Sequence, residues 1–169
     1  PASHNVKVLR HIVEHYPRDE LFQISEHDLY NFSMRILELQ LRPRLALLVR
    51  RDEEERFVSC MVYVPRDLHN TEVRLRVQRT LELAFAGRVT AYYTRLSDRP
   101  LAQLQFIVKT KPGHIPDYDV ESLEQRLAEV VKSWDDRLRE ALDDATDEAS
   151  IDHWRRYREA FPPAYQQFS

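Results

Sequence analysis

The stretch Phe57-Val58-Ser59-Cys60-Met61-Val62-Tyr63-Val64-Pro65 decides the fold of this chain. Successive side chains of a strand point to opposite faces of its sheet. One set here comprises Val58, Cys60, Val62 and Val64, and the other contains Phe57, Met61 and Tyr63. Because both sets are largely apolar, the pattern predicts an inner strand that is buried on both faces. Pro65 ends the strand because proline has no N–H to donate to the ladder.

The elements around this strand follow the order ββαββα. Strands are predicted over 45–49, 57–64, 89–96 and 101–108, with one helix after the second strand and one after the fourth. The charged link 50–56 is too short for a parallel crossover, so the first two strands form an antiparallel hairpin. A ferredoxin-like fold has the order βαββαβ, and moving its last strand to the front gives ββαββα. We therefore predict an α+β fold with a circularly permuted, ferredoxin-like, four-stranded, antiparallel-rich sheet.

Extra helices flank this predicted sheet domain, which spans residues 43–142. A helical N-terminal segment, 1–42, precedes it, and a C-terminal helical extension, 143–169, follows it. The last helix of that extension carries apolar residues at Ile151, Trp154, Tyr157 and Phe161. Two helices cover one face of the sheet, so the early helices or a second copy of the sheet should cover the other face.

Several residues mark where helices begin and end. Ser25, Asn70 and Asp119 each precede an apolar helical pattern, and their side-chain oxygens can accept from first-turn N–H groups. Gly87 stands where a left-handed glycine ends a helix. We therefore predict helices that begin after those three caps, and a polar link at 18–20.

Composition narrows the classes of function. The chain has 25 Lys and Arg against 28 Asp and Glu, a net charge of −3, which gives no electrostatic reason to bind nucleic acid or a membrane surface. Its apolar runs are shorter than the roughly 20 residues of a membrane helix. The single cysteine, Cys60, cannot form an internal disulfide and is interpreted as a buried core residue. We expect a cytoplasmic protein.

The scarcity of glycine excludes one class of chemistry. Gly87 and Gly113 are the only glycines, whereas loops that cradle phosphates need several glycines close together. Rossmann and P-loop sites are therefore absent from this segment. We predict no catalytic residue, no cofactor-binding residue and no metal ligand in it.

One short motif offers an alternative function. His11-Ile12-Val13-Glu14-His15 matches the H-x-x-E-H pattern of a zinc hydrolase. His11, Glu14 and His15 fall opposite the apolar side of their helix, however, so a solvated helix face explains them better. The acidic residues of the 50–56 link are likewise interpreted as a solvated turn.

The turn after the central strand is the place where a ligand or interface is predicted. Arg66 and Asp67 precede Asn70 and Thr71, which open a helix. A helix N-terminus with a nearby arginine can hold a carboxylate or a phosphate. The simpler alternative is that Asn70 caps the helix and that Arg66 pairs with Asp67.

Two leucines on the same helix are candidates for a contact surface. Leu75 and Leu83 lie off the apolar stripe of that helix, roughly opposite it. They are either scattered exposed leucines, which are common, or a contact with another subunit or domain.

The central stretch also carries a family resemblance. Arg56-Phe57-Val58-Ser59-Cys60-Met61-Val62-Tyr63-Val64-Pro65-Arg66-Asp67, followed by Asn70-Thr71-Glu72-Val73-Arg74, resembles the N-terminal region of the large bacterial NAD-specific glutamate dehydrogenases. The resemblance runs from about residue 16 to residue 168. Other similar stretches are Tyr16-Pro17-Arg18-Asp19-Glu20-Leu21-Phe22-Gln23, Leu101-Ala102-Gln103-Leu104-Gln105-Phe106-Ile107-Val108, Ser133-Trp134-Asp135-Asp136 and Phe161-Pro162-Pro163-Ala164-Tyr165.

The resemblance implies an ACT-like module without catalytic activity of its own. In that family such modules precede a Rossmann-containing catalytic domain, which uses NAD to convert L-glutamate to 2-oxoglutarate and ammonia. The implied role is regulatory or in oligomerisation, and the implied partners are other domains of the polypeptide and other copies of a homo-oligomer. A free-standing, amino-acid-sensing ACT-type module is the alternative. ACT modules that bind amino acids commonly have a glycine after the first strand, whereas Pro65-Arg66-Asp67-Leu68-His69 has none.

Overall fold

The computed structural model describes residues 2–97 and 99–143. Its helices are α1 (Ala2–Glu14), α2 (Arg18–Leu21), α3 (Glu26–Leu41), α4 (Thr71–Phe85) and α5 (Val120–Asp143). Its strands are β1 (Ala46–Arg51), β2 (Phe57–Pro65), β3 (Arg88–Arg95) and β4 (Leu101–Lys109). The predicted helix with Ile151 and Phe161 lies outside the described residues, as does the rest of the predicted extension after residue 143. Within the described part, no helix is both long enough and apolar enough to cross a membrane.

The four strands form one antiparallel sheet in the order β1-β2-β4-β3. On one side of β2, Val62 lies opposite Leu47 of β1, and on the other side it lies opposite Leu104 of β4. β1 holds the place that the last strand takes in an unpermuted ferredoxin-like sheet. The permuted ββαββα fold and the inner position of β2 are therefore confirmed.

One face of the sheet forms the main core with α4 and α5. The core members from the sheet and helices are apolar residues that recur with the period of their element: Val58, Cys60, Val62, Val64, Leu104, Phe106, Val108, Val73, Val77, Leu81, Phe85, Leu123, Leu127 and Val131. Fully burying a side chain the size of valine, leucine or phenylalanine contributes roughly 1.5–3 kcal/mol. This face therefore supplies the main apolar stabilisation of the sheet domain.

The opposite face of β2 is also buried, as its second apolar set predicts. Ser59, Met61 and Tyr63 are each at most 8% exposed. Two glutamines of β4 reach this row, because Gln103 Nε2 donates to Met61 Sδ at 2.8 Å and Gln105 Nε2 donates to Ser59 Oγ at 3.4 Å. The idea that the early helices or a second copy cover this face stays a prediction.

The N-terminal helices form a compact unit of their own, which gives way to the sheet unit between Arg44 and Leu45. Within this first unit α1 packs on α3. Ser25 caps α3 as predicted, because its Oγ accepts from the N–H of Asp28 at 3.1 Å. The buried apolar residues of the unit are Ile12, Tyr16, Ile36 and Leu39.

The short helix α2 replaces the polar link predicted at 18–20. Its first turn holds Asp19 and Glu20, and the helix dipole favours acidic side chains there. Pro17 precedes it with a φ of −55°, which suits the entry to a helix. The prediction of a link is wrong because four residues are too few to show a helical apolar period.

The end of α4 differs from the prediction made for Gly87. Ala86 adopts the left-handed conformation, with φ 49° and ψ 45°, and ends the helix. Gly87 is required for another reason, since a Cβ there would lie 2.3 Å from the carbonyl oxygen of Lys109 and 2.9 Å from Val108 Cγ1. The predicted left-handed role of Gly87 is therefore wrong, because close packing against β4 is what this position demands.

Neighbouring substitutions at this helix end are expected to change stability in opposite directions. Ala86→Gly should raise the free energy of unfolding by about 1 kcal/mol, because a left-handed backbone is costly for a residue that has a Cβ. Gly87→Ala should lower it by about 1–3 kcal/mol or more, because the new methyl group overlaps the backbone of β4. Urea denaturation of the whole chain, followed by circular dichroism, measures both. Two changes of the same sign would contradict this assignment.

Candidate functional site

The turn predicted as a ligand or interface site begins directly after β2. Arg66 opens a single 3-10 turn, Arg66–Leu68. Its backbone N–H donates to the carbonyl oxygen of Pro100 at 2.8 Å, and its Nη1 donates to the carbonyl oxygen of Ser97 at 2.6 Å. The guanidinium group thus ties the turn to the β3–β4 connection, and the side chain of Asp67 remains exposed. The predicted pairing of Arg66 with Asp67 is replaced by this contact.

Asn70 caps α4, as predicted. Its Oδ1 accepts from the N–H of Val73 at 2.8 Å, and its carbonyl oxygen accepts from the N–H of Arg74 at 3.0 Å. Thr71 is the first residue of the helix and is exposed. Arg66, Asp67, Asn70 and Thr71 therefore stand together in one turn. Anion binding by them stays a prediction.

The two leucines of α4 differ from each other. Leu83 is 82% exposed, which makes it a large apolar side chain in open contact with solvent. Leu75 is half-buried. Only Leu83 therefore provides fully exposed apolar surface of the kind predicted for this helix, and an interface role for the two stays a prediction.

The pattern-based search missed two residues of this turn, His69 and Arg74. His69 directly precedes the cap of α4, and Arg74 is the fourth residue of the helix. A hydrophobic staple joins these two positions when both residues are apolar, so their spacing could have paired them but their residue types could not. The ring Nδ1 of His69 is buried and has no hydrogen-bond partner among the described residues. Burial lowers the pKa of His69, and the charge of Arg74 lowers it further.

Arg74 also links the helix start to the sheet. Its guanidinium carbon lies 4.1 Å from the centre of the Tyr92 ring in β3, a distance typical of a cation–π contact. Its Nη1 donates to Gln78 Oε1 at 3.3 Å. The turn is therefore held on two sides, by Arg66 to the β3–β4 connection and by Arg74 to β3.

The acidic link between β1 and β2 is more ordered than a solvated turn. Asp52 is only 7% exposed, and its carboxylate accepts from Arg56 Nε at 2.8 Å and from Arg56 Nη2 at 3.1 Å. The hydrogen bond from the Arg56 side chain lowers the pKa of Asp52. Thr110 joins this turn to the end of β4, because its Oγ1 donates to the carbonyl oxygen of Glu55 at 2.6 Å. The prediction of a solvated turn is therefore wrong for Asp52. Its partner, Arg56, lies only four residues away and holds the carboxylate within a tight turn.

The histidines of α1 form a pair without a third ligand. The ring centres of His11 and His15 are 4.0 Å apart, and both side chains are exposed, as the helical pattern predicts. Glu14 accepts from Arg10 Nε at 2.9 Å. Among the described side chains, no group of three or more histidine, cysteine, aspartate or glutamate residues could hold a metal ion. The zinc-hydrolase alternative therefore gains no support from this part of the chain.

Family models match nearly all of the described chain. Residues 46–135 match the glutamate dehydrogenase ACT2 domain, and residues 1–42 match glutamate dehydrogenase helical motif 1. The first match covers the sheet with α4 and most of α5, and the second covers α1 to α3. The two matches agree with the ACT-like fold described above.

Full-length relatives are similar along the chain and much longer than it. The NAD-specific glutamate dehydrogenase of Halomonas elongata is 36% identical over 168 residues, which cover 99% of this chain and 10% of that protein. That of Pseudomonas aeruginosa is 34% identical over 79% of the chain and 8% of its own length. The NAD-specific glutamate dehydrogenase of Mycobacterium tuberculosis is 30% identical over 98% of the chain and 11% of its own length. The chain thus spans about a tenth of the length of these relatives.

His69 is expected to make stability depend on pH. The pKa of His69 is lower in the folded chain than in the unfolded chain, where it is about 6.5. At pH values between these two pKa values, the unfolded chain therefore binds more protons than the folded chain. The free energy of unfolding should therefore fall as pH drops below about 6.5, by at most about 1.4 kcal/mol per pH unit. His69→Gln should remove this loss.

Urea denaturation at pH values of about 7.5 and 5.5 measures the effect. His114→Gln, at an exposed histidine, is the matched control and should keep the loss. An unchanged acid loss in His69→Gln would contradict the prediction.

Proposed function

Because this chain belongs to the glutamate dehydrogenase family, as an ACT2 domain preceded by helical motif 1, we propose that it is a non-catalytic regulatory and oligomerisation module. Its parent enzyme uses NAD to convert L-glutamate to 2-oxoglutarate and ammonia, and a domain outside this segment binds the NAD. Its partners are other domains of the same polypeptide and other copies of the enzyme. A cytoplasmic location, expected from the use of cysteine, is part of the proposal.

The observation that carries the proposal is the extent of the family matches. Two adjacent modules account for residues 1–42 and 46–135, while the relatives are about ten times longer than the chain. An enzyme of that length has ample room for a separate catalytic domain. A non-catalytic role for a segment of this size is consistent with such a division.

The two glycines also support the assignment of NAD binding to another domain. Gly87 is held against the backbone of β4, and Gly113 has a positive φ of 75° in the turn after β4. These are the only two glycines in the sequence, and each has a local structural task. A phosphate-cradling loop needs several glycines close together, which supports the assignment of NAD to another domain.

Among the described residues of the sheet unit, Leu83 is the most exposed large apolar residue and supports a role in assembly. It is 82% exposed on α4, whose other side carries the buried residues Val73, Val77, Leu81 and Phe85. An exposed leucine by itself is common, but burying it against a neighbour would contribute roughly 1.5–3 kcal/mol. The outer surface of α4 is therefore the part of the module that we assign to contacts within the enzyme.

The whole chain is expected to show no NAD reduction with L-glutamate as substrate. The reason is that its two glycines, Gly87 and Gly113, lie too far apart to form a nucleotide loop. A spectrophotometric assay measures this directly, and glutamate-dependent NAD reduction by the chain would refute the non-catalytic role. Calorimetry with a panel of amino acids tests the alternative, because tight binding would favour an amino-acid sensor.

Leu83→Glu in the full-length enzyme is expected to weaken subunit or domain association. Loss of a buried leucine corresponds to about a ten- to hundredfold weaker association. Light scattering across a dilution series measures the change. Val120→Glu is the matched control, an apolar residue that is 37% exposed at the start of α5. Association unchanged by Leu83→Glu would contradict the assignment of the α4 surface.

A further inference from the structure

The two edges of the sheet are not equivalent. At the β1 edge, the backbone N–H of Leu47 donates to Glu124 Oε2 of α5 at 2.8 Å, and Glu124 is only 7% exposed. A carboxylate that binds an edge N–H from a covering helix blocks the approach of another strand. The β1 edge is therefore occupied at Leu47 by a side chain of α5.

At the β3 edge, a side chain of α4 binds the beginning of the strand, and no further strand of the described residues pairs with the rest of it. The N–H of Val89 donates to Glu82 Oε1 at 2.9 Å, and a bulge follows between Val89 and Ala91. After the bulge, β3 pairs regularly with β4, from Ala91 opposite Ile107 to Arg95 opposite Gln103. Residues 91–95 are all exposed or half-exposed. An edge strand of this kind presents alternate N–H and C=O groups to a further strand.

Exposed aromatic rings occupy the middle of this stretch. Tyr92 is 49% exposed and Tyr93 is 57% exposed. Their successive positions place one ring on each face of the sheet, so a further strand would find an aromatic side chain beside it on both faces. Aromatic side chains pair favourably with those of a neighbouring strand.

The part of the sequence that contains this edge has a positive net charge. Residues 66–111 contain nine Lys and Arg but four Asp and Glu, a net charge of +5, whereas the whole chain has −3. Arg74 lies 4.1 Å from the Tyr92 ring, and Arg66 binds the carbonyl oxygen of Ser97, two residues after β3. Arg74 is thus held beside the middle of β3, and Arg66 is held beside the connection that follows it.

Two further arginines lie at the same end of the sheet. Burial raises the pKa of Tyr63, and the charges of Arg99 and Arg95 act against that rise. The strand register agrees with this, because Arg95 lies opposite Gln103, which in turn lies opposite Tyr63 near the end of β2. Arg99 stands two residues before the start of β4. The side chains of Arg95 and Arg99 are exposed, so both add positive charge to the surface at this end of the edge.

This charge pattern disfavours a second copy of β3 as the partner. The strand has the sequence RVTAYYTR, with Arg88 and Arg95 at its ends and no acidic residue. Antiparallel pairing of two copies would bring together two strands that carry arginine and no acidic residue, and like charges across a sheet are destabilising. An acidic strand would instead gain from the same arginines.

We propose that the edge formed by residues 91–95 binds an extended acidic segment, which adds a fifth strand to the sheet. The segment comes from another domain of the parent enzyme, and this choice of source rests on the function proposed above. The length of the relatives supports it, because about nine-tenths of them lies outside the region that this chain matches.

A peptide of about eight residues, in which glutamate alternates with valine, tests the chemistry of the site. Fluorescence anisotropy at low salt should show binding to the whole chain, and NMR should show shifts at the amides of residues 91–95. Arg95→Glu combined with Arg99→Glu should weaken binding about tenfold. Arg126→Glu combined with Lys132→Glu, on the exposed side of α5, is the control and should leave binding unchanged.

Two altered peptides separate strand pairing from simple charge attraction. A peptide N-methylated at alternate residues cannot complete the ladder and should lose binding. A peptide with lysine in place of glutamate should not bind the original chain but should bind the charge-reversed variant. Equal binding of the N-methylated peptide, or shifts confined to residues outside 91–95, would overturn the proposal.

A photo-crosslinking residue in place of Tyr93 in the full-length enzyme tests the source. Mass spectrometry should identify an acidic segment from another domain of the enzyme. A crosslink to β3 of a second copy would overturn the proposal. The glutamate assay of the chain is independent of both experiments, so failure at the β3 edge can be told apart from failure of the non-catalytic role.

Discussion

The pairing of β2 with a neighbour on each side is the constraint on which the rest of the sheet domain depends. β2 lies between β1 and β4, so its backbone groups are satisfied within the sheet and its side chains can be apolar on both faces. One of those faces then requires cover, which α4 and α5 provide through Val77, Leu81 and Leu127. The inner position of β2 therefore requires a neighbour on each side and cover for its apolar face.

The pairing of β2 with β4 also explains why the turn after β2 is attached to the β3–β4 connection. Pro65, at the end of β2, lies opposite Leu101, at the start of β4. Arg66 therefore emerges beside the β3–β4 connection and can bind Ser97 through its side chain. The turn combines this anchor with the cap of α4, so most of its polar groups already serve the fold. A ligand at this turn would have to use the exposed Asp67 and Thr71.

The four-stranded sheet has two edge strands, β1 and β3, and the contacts of these two strands differ. Glu124 closes the β1 edge with a hydrogen bond to Leu47, while β3 carries exposed tyrosines and lies in the most basic part of the chain. Leu83 exposes further apolar surface on α4, and these two surfaces are the ones that we propose for contacts within the enzyme. The role that we propose for the segment therefore depends on its surface residues, because its interior residues serve to pack the fold.

The sequence by itself determined the strand order, the inner position of β2, the helix caps at Ser25, Asn70 and Asp119, and the glutamate dehydrogenase resemblance. Periodicity and capping could be predicted because they depend on residues only a few positions apart. Only the tertiary structure decided that Gly87 is required by the backbone of β4, that Arg66 binds Ser97, and that Arg74 lies over Tyr92. These contacts join residues about 18 to 31 positions apart, and no local pattern encodes a distance between atoms that meet only after the strands have paired.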